Sequence, residues 1–274
     1  PRNSSMKHYY RVLTIAGSDS GGGAGIQADL KTISAWGCFG TRAVTAITAQ
    51  NTLGVTDIHA IPVTTIEAQI RAVLDDIGTD AVKLGMLHSV EVIECVARLL
   101  GEYNISNIVL DPVMVATSGD KLIQDEAISA LQEMVFPLAR LITPNIPEAE
   151  IISGREIADE AQLEETAAQL ARQFSLSVLA KGGHLENDLL VDILYDYEMS
   201  DLHRFTNQKV TTINTHGTGC TLSSALASFL AQGLSLTDAT DRAIGYISIA
   251  IKAGAAYRLG EGHGPVHHFH EFWD

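Results

Sequence analysis

The feature that most constrains this chain is an alternation of two periodicities. Short apolar runs occur at 12–16, 43–49, 81–84, 108–110, 141–142 and 177–180. Between them lie stretches with helical spacing of apolar residues, at 26–36, 65–77, 90–100, 127–135 and 163–174. Strands joined through helices run parallel, and a parallel sheet must be covered on both faces. The handedness of such crossovers is right-handed. The expected fold is therefore α/β: a doubly wound, mainly parallel central sheet with helices on both faces. Runs at 189–195 and 204–210 read as later strands that can close a hairpin, and 221–232 and 236–257 as two terminal helices. There is no internal repeat, low-complexity stretch or Pro/Ser-rich linker, so 6–274 reads as one domain. Residues 1–5, ahead of Met6, read as an expression remnant.

Composition narrows the function. Of 274 residues, 46% are hydrophobic, enough for a sizeable core, yet no apolar run is long enough for a membrane-spanning helix. Eighteen Lys and Arg against 33 Asp and Glu give a formal charge of −15. No basic stripe is present to grip nucleic acid or an anionic membrane. Such a chain must bind phosphate locally, through backbone amides, a few cations and a metal. Three widely spaced cysteines, Cys38, Cys95 and Cys220, suit neither a disulfide framework nor a zinc site, and fit a reducing cytoplasm.

In an open parallel sheet, ligands bind beyond the carboxyl ends of the strands, and the chemistry-bearing residues fall there. Gly17-Ser18-Asp19-Ser20-Gly21-Gly22-Gly23-Ala24-Gly25 holds five glycines in nine residues. It serves either close backbone approach to a ligand or a tight turn. Gly23–Ala28 fits the dinucleotide pattern G-x-G-x-x-[GA]. The acid expected after the second strand is missing, however, since Gln50-Asn51 stands there and no acid follows until Asp57. No Gly-Lys-Ser/Thr follows either. His216-Gly217-Thr218-Gly219-Cys220-Thr221 opens an apolar helix, where free amides and the helix dipole suit phosphate oxygens. Cys220, in the first turn, is expected to have a lowered thiol pKa and could act as general base; the alternative is a glycine cap over a buried Cys.

Asn145 and Glu148 can aim hard oxygens at Mg²⁺, or can cap a helix. Asp111-Pro112 can hold Mg²⁺ or position a nucleophile, or form an Asx-type turn. Lys181-Gly182-Gly183-His184 can neutralise phosphate or make a hairpin turn. Gln50 presents a donor and acceptor that complement an aminopyrimidine edge, or is a loop residue. The His-rich tail at 262–270 reads as a structural segment ahead of a metal site.

These segments together carry a resemblance. TIAGSDSGGGAGIQADLKT (14–32), TAQNTLGV (48–55), KLGML (83–87), VLDPVM (109–114), LITPNIPEAE (141–150), KGGH (181–184), NTHGTGCTLSSALA (214–227) and GPVHHFH (264–270) make the chain similar, from Val12 to His270, to the bacterial hydroxymethylpyrimidine/phosphomethylpyrimidine kinases of thiamine biosynthesis. That family sits in the ribokinase-like superfamily. The resemblance implies a homodimer that uses ATP and Mg²⁺ to phosphorylate an aminopyrimidine alcohol and then its monophosphate. It implies that Gly17, Asp29, Gln50, Met86 and Val113 contact the pyrimidine. It places Cys220 as catalytic base beside an anion hole of Gly217, Thr218 and Gly219, with Lys181 on the phosphates. Asp111, Asn145 and Glu148 would organise Mg²⁺. Most sugar kinases of the superfamily carry Asp where Cys220 stands, so a metal-bound phosphate oxygen or Asp111 can share in taking the proton. Water must be excluded during transfer, and 115–121 is the candidate lid. Competing readings are a pyridoxal kinase, a dinucleotide-dependent oxidoreductase and a non-catalytic vitamin-binding protein.

Overall fold

The computed structural model describes residues 7–114, 123, 125–183 and 189–273. The candidate lid at 115–121, His184 and the 1–5 segment lie outside the described residues. One nine-stranded sheet organises the chain. Its strands are β1 (Arg11–Asp19), β2 (Phe39–Asn51), β3 (Gly54–Ala60), β4 (Ala81–Leu84), β5 (Ile108–Leu110), β6 (Leu141–Ile142), β7 (Ser177–Ala180), β8 (Leu189–Asp196) and β9 (Asp201–Gln208). The spatial order is β3-β2-β1-β4-β5-β6-β7-β8-β9. Pairings from β2 through β7 are parallel. The two ends are antiparallel, β3 on β2 and the β7-β8-β9 meander. The chain leaves β1 towards β2, then returns to build β4 on the other side. The β1/β4 boundary is thus the topological switch point, where a crevice opens.

The eight α-helices among the described residues are α1 (Gly25–Ala35), α2 (Val63–Asp76), α3 (Val90–Glu102), α4 (Asp125–Ala130), α5 (Ile146–Ser153), α6 (Glu160–Phe174), α7 (Thr218–Ala231) and α8 (Leu236–Gly254). Strand residues alternate between the faces. Val12, Val109, Leu141 and Leu179 pack under α1, α7 and α8 through Ile33, Phe229 and Ala243. Leu13, Ile15, Val82, Leu84 and Leu110 meet α2 to α6 on the other face, through Ile66, Ile93 and Leu170. Strands β4 to β7 are buried throughout, which accounts for their apolar sequence, interrupted by Lys83 in β4 and Ser177 in β7.

The structure departs from the sequence expectation in three places. Strand β3 was not expected: all seven of its residues are exposed, so no burial pattern marks it. The helix expected at 127–135 is α-helical only to Ala130, then passes through a π turn (Leu131–Val135) and a 3₁₀ turn (Phe136–Leu138). Pro137, with no amide to donate, lies in that last turn and stops the helix. The strand expected at 204–210 is β9, which begins earlier because Asp196 pairs with Asp201 across a tight turn at Tyr197–Ser200.

Candidate active site

The two glycine-rich segments meet backbone to backbone at the carboxyl edge of β1. Gly217 has φ 80°, and a Cβ there would stand 1.8 Å from the Gly23 carbonyl oxygen. A Cβ on Gly23 would stand 2.5 Å from the His216 ring. Both positions therefore require glycine. The 17–25 loop is filled from within. Asp19 accepts from the Gly21 amide through Oδ1 (2.7 Å) and from Gly23 (3.1 Å) and Ala24 (2.9 Å) through Oδ2. His216 Nε2 also donates to Oδ2, at 2.8 Å. Burial alone would raise the Asp19 pKa, but these hydrogen bonds outweigh it and hold the carboxyl below its ordinary range. The loop's amides are thus spent on Asp19. With these amides taken the loop has few left to cradle a pyrophosphate, which counts against the dinucleotide reading.

The second segment is open. No side chain caps α7 at Gly217. Of the amides at 217–220, the described residues engage only that of Thr218, 3.2 Å from the Thr215 carbonyl. The amides of Gly217, Gly219 and Cys220 are therefore the ones left to meet an anion, with the Thr218 amide partly spent. Against it stands an acidic–basic cluster. Asp111, 3% exposed beyond β5, accepts from Thr143 Oγ1 (3.1 Å) and Lys181 Nζ (3.2 Å), both through Oδ1. Its Oδ2 faces Gly219, where a Cβ would come within 3.1 Å of Oδ2 and 3.5 Å of Lys181 Nζ. Burial works against the Lys181 charge, but Asp111, Glu148 and Asp192 outweigh it. Gly182 lets the chain turn after Lys181, because a Cβ there would meet the Val191 carbonyl at 2.0 Å.

Glu148 completes the cluster from α5. Its carboxyl is pushed up to about 7, first by burial and also by Asp111, against the pull of Lys181 and the amides of Asn145 and Met114. A buried carboxyl so short of positive charge, beside a second carboxylate with a free oxygen, fits a hard divalent cation. Asn145 caps the helix. Its Oδ1 accepts from the Glu148 amide and Glu148 Oε2 accepts from the Asn145 amide, both at 2.9 Å, a complete capping box. The capping role engages the oxygen expected for metal.

Two further expectations are corrected below Cys220. The Cys220 thiol is not lowered but pushed up to about 11. Desolvation dominates, Asp29 and Asp111 add to it, and Lys83 and the Gly25 amide oppose it. Asp29 is fully buried and offers nothing to a ring. Lys83 Nζ lies 2.9 Å from each of its oxygens, Ser224 Oγ donates to Oδ1 (2.7 Å) and Thr14 Oγ1 to Oδ2 (2.6 Å). Sequence reasoning missed Lys83 and the Asp19–His216 pair. The signal for Lys83 was present, since a lysine inside the buried run Ala81-Val82-Lys83-Leu84 cannot reach water and must have a partner.

The remaining substrate-side residues line the switch point. Gly17 is buried under half-buried Met86, whose Cε would be 3.5 Å from a Cβ at Gly17. Gln50 is tied to the 18–20 segment: its amide donates to Ser20 Oγ (2.8 Å), its carbonyl accepts from the same hydroxyl (2.6 Å), and its Oε1 lies 3.0 Å from Thr48 Oγ1. Val113, half-buried, follows Asp111 beyond β5, two strands from Gly17. The tail is structural. His216 pairs with Pro265, and His268 Nε2 lies 3.0 Å from Thr221 Oγ1. Thr221 already donates to the Gly217 carbonyl, so His268 is the donor between them. No group of three His, Cys, Asp or Glu arranged for a metal occurs among the described residues.

Comparison with known proteins agrees with this geometry. A family model described as phosphomethylpyrimidine kinase matches residues 19–267. The hydroxymethylpyrimidine/phosphomethylpyrimidine kinase of Haemophilus influenzae is 48% identical over 96% of this chain and 98% of its own length. The thiamine biosynthesis bifunctional protein ThiED of Geobacter sulfurreducens is 52% identical over 94% of this chain, which spans 52% of that longer protein. Among solved structures, an ADP complex of Bacillus subtilis pyridoxal kinase aligns with a TM-score of 0.87 at 37% identity, covering 95% of this chain and 98% of that one.

Proposed function

The chain belongs to the phosphomethylpyrimidine kinase family, and on that footing we propose that it transfers the γ-phosphoryl group of ATP to 4-amino-5-hydroxymethyl-2-methylpyrimidine and then to the monophosphate, giving the diphosphate used in thiamine biosynthesis. The observation that carries this is the meeting of Asp111, Lys181 and Glu148 with the uncapped start of α7, separated only by Gly219. Phosphoryl transfer needs positioning and neutralisation of spreading charge rather than covalent help from the protein. Amides at 217, 219 and 220 and the Lys181 ammonium supply it. Asp111 and Glu148 are the residues to hold Mg²⁺, which when bound neutralises phosphate charge. Gly17, Met86, Gln50 and Val113 would seat the ring, Gly17 leaving room for it.

Cys220 sits where the hydroxymethyl proton must go. A thiol titrating at about 11 is protonated at neutral pH, and ionising it costs about 5 kcal/mol at pH 7. Its use as proton acceptor therefore depends on the cations around it, and Asp111 Oδ2 is the nearby alternative. Likeness to a pyridoxal kinase supports pyridoxal phosphorylation as a second reading. A coupled ADP-release assay with Mg-ATP separates them: turnover on both pyrimidines with little on pyridoxal is expected, and preference for pyridoxal would overturn the assignment.

The working unit is taken to be a homodimer. Strand β3 has an unpaired outer edge and exposes Val55 and Ile58, 48% and 56% accessible, an edge that a monomer would be expected to blunt. Light scattering should give twice the 29.4 kDa chain mass, and a monomer would refute this. No helix among the described residues is long and apolar enough to cross a membrane. The three free cysteines suit a reducing compartment, and we place the enzyme in the cytoplasm.

A further inference from the structure

Four elements send polar side chains to one dry point beneath Cys220: Thr14 from β1, Asp29 from α1, Lys83 from β4 and Ser224 from α7. All four are fully buried. The packing is close, because a Cβ on Gly85 would come within 3.1 Å of Lys83 Nζ and 2.8 Å of the Ala16 Cβ. A buried ion pair is a poor device for stability, since apolar residues of like volume usually serve as well or better. Its position gives another use. Ser224 lies one turn beyond Cys220 on the same helix, so the residue that braces Asp29 also fixes the pair under the sulfur. The charged groups acting on Cys220 are Lys83 from β4, Asp29 from α1 and Asp111 beyond β5, with the Gly25 amide as a further donor. Among them Lys83 is the cation; Lys181, whose Nζ would stand 3.5 Å from a Cβ on neighbouring Gly219, is the other cation of the site.

We infer that Lys83 is a positioning residue for phosphoryl transfer: Asp29 holds its ammonium under Cys220, where it is the counter-charge that allows the sulfur to become a thiolate. The inference rests on the reading of Cys220 as proton acceptor. In that step the hydroxymethyl O–H proton passes to the sulfur as the new O–P bond forms and the bond from the γ-phosphorus to ADP breaks. Asp29 is as much a part of the device as Lys83. It holds the ammonium in place and, with Asp111, offsets the burial that works against its charge, and at the same time tempers the lysine's pull on the sulfur.

The test uses opposite signs. Cys220 is titrated by its rate of alkylation with iodoacetamide across pH, in EDTA without nucleotide, in a Cys38→Ala/Cys95→Ala background. Lys83→Met should move the thiol transition to higher pH. Asp29→Asn keeps an oxygen for Lys83 to donate to and removes only the opposing negative charge; with Asp111 still favouring the ammonium, the transition should move to lower pH. Each unit is a tenfold change in alkylation rate on the acid side of the transition. Because Lys83→Met leaves Asp29 buried and unpaired, Asp29→Asn/Lys83→Met is made as well. It should also shift the transition upward, but by less, since Lys83 acts on the sulfur more strongly than Asp29 does. A pair that only supports packing would move both single variants the same way or neither, and either result overturns the inference. If the thiol shifts as expected while the pH profile of kcat does not follow it, the Lys83–Cys220 coupling stands and the role of Cys220 as proton acceptor falls.

Discussion

Glu148 is 3% exposed, and its carboxyl is pushed from an ordinary 4.5 to about 7, mainly because burial strips it of water. Below pH 4.5 the group is neutral in the folded and the unfolded chain and costs nothing. Between 4.5 and about 7 the unfolded chain ionises first, so folding stability falls as pH rises. Above 7 the full difference, about 3 kcal/mol, has been lost. Glu148→Gln removes the titration and keeps the shape. Its amide oxygen can still accept from the Asn145 amide, and the long 3.5 Å contact with the Met114 amide is the small loss, below about 1 kcal/mol. The variant should therefore match wild type near pH 4.5 and exceed it by roughly 2–3 kcal/mol at pH 8, or about 5–10 °C in Tm for a chain of this size. Phosphoryl transfer should fall by about 100-fold or more, since an oxygen ligand of the cation is gone. Urea unfolding followed by circular dichroism at pH 4.5 and 8 checks it. A gap of the opposite sign, or one independent of pH, would refute the placement of a strained carboxyl at this site.

Cys220→Ser should lower kcat by about 10²- to 10⁴-fold with KM little changed, and unchanged turnover would remove the sulfur from the reaction. Lys181→Met leaves Asp111 and Glu148 together without their cation. It should push the Glu148 titration still higher and cut kcat by about 10²- to 10³-fold, read from the acid limb of the rate profile. Gly217→Ala places a methyl 1.8 Å from the Gly23 carbonyl at φ 80° and should cost at least about 2 kcal/mol of stability; a melting curve that superimposes on wild type would contradict the backbone contact.

Much of the fold was legible because parallel strands advertise themselves. Strands β4 to β7 lie between covered faces, so their sequences are apolar but for Lys83 and Ser177, and amphipathic helices separate them. Strand β3 was not legible, because a strand exposed along its whole length leaves no burial pattern to read. The position of the site followed from the carboxyl-edge rule alone. Asp111, Lys181 and Glu148 do converge there, although they are up to 70 residues apart in sequence.

What the chain order could not convey was direction, because a polar atom has finite capacity. Asp29 stands in a glycine-rich motif and resembles a substrate ligand by position, yet Lys83, Ser224 and Thr14 fill both of its oxygens. Asn145 stands beside the carboxylates proposed for metal, yet its oxygen caps α5. The amides of the 17–25 loop could cradle an anion, and the anion they cradle is Asp19. In each case a residue near the site spends its hydrogen bonds on shaping the protein. The groups left to face a ligand among the described residues are those incompletely answered: Asp111 Oδ2, the uncapped start of α7, and a Glu148 carboxyl that caps α5 yet is held in a site that disfavours its charge. The candidate phosphate site is where the protein leaves its own polar groups incompletely answered; Gly219 keeps it open, because a side chain there would meet Asp111 and Lys181, and Gly217 lets the segment close against the Gly23 backbone.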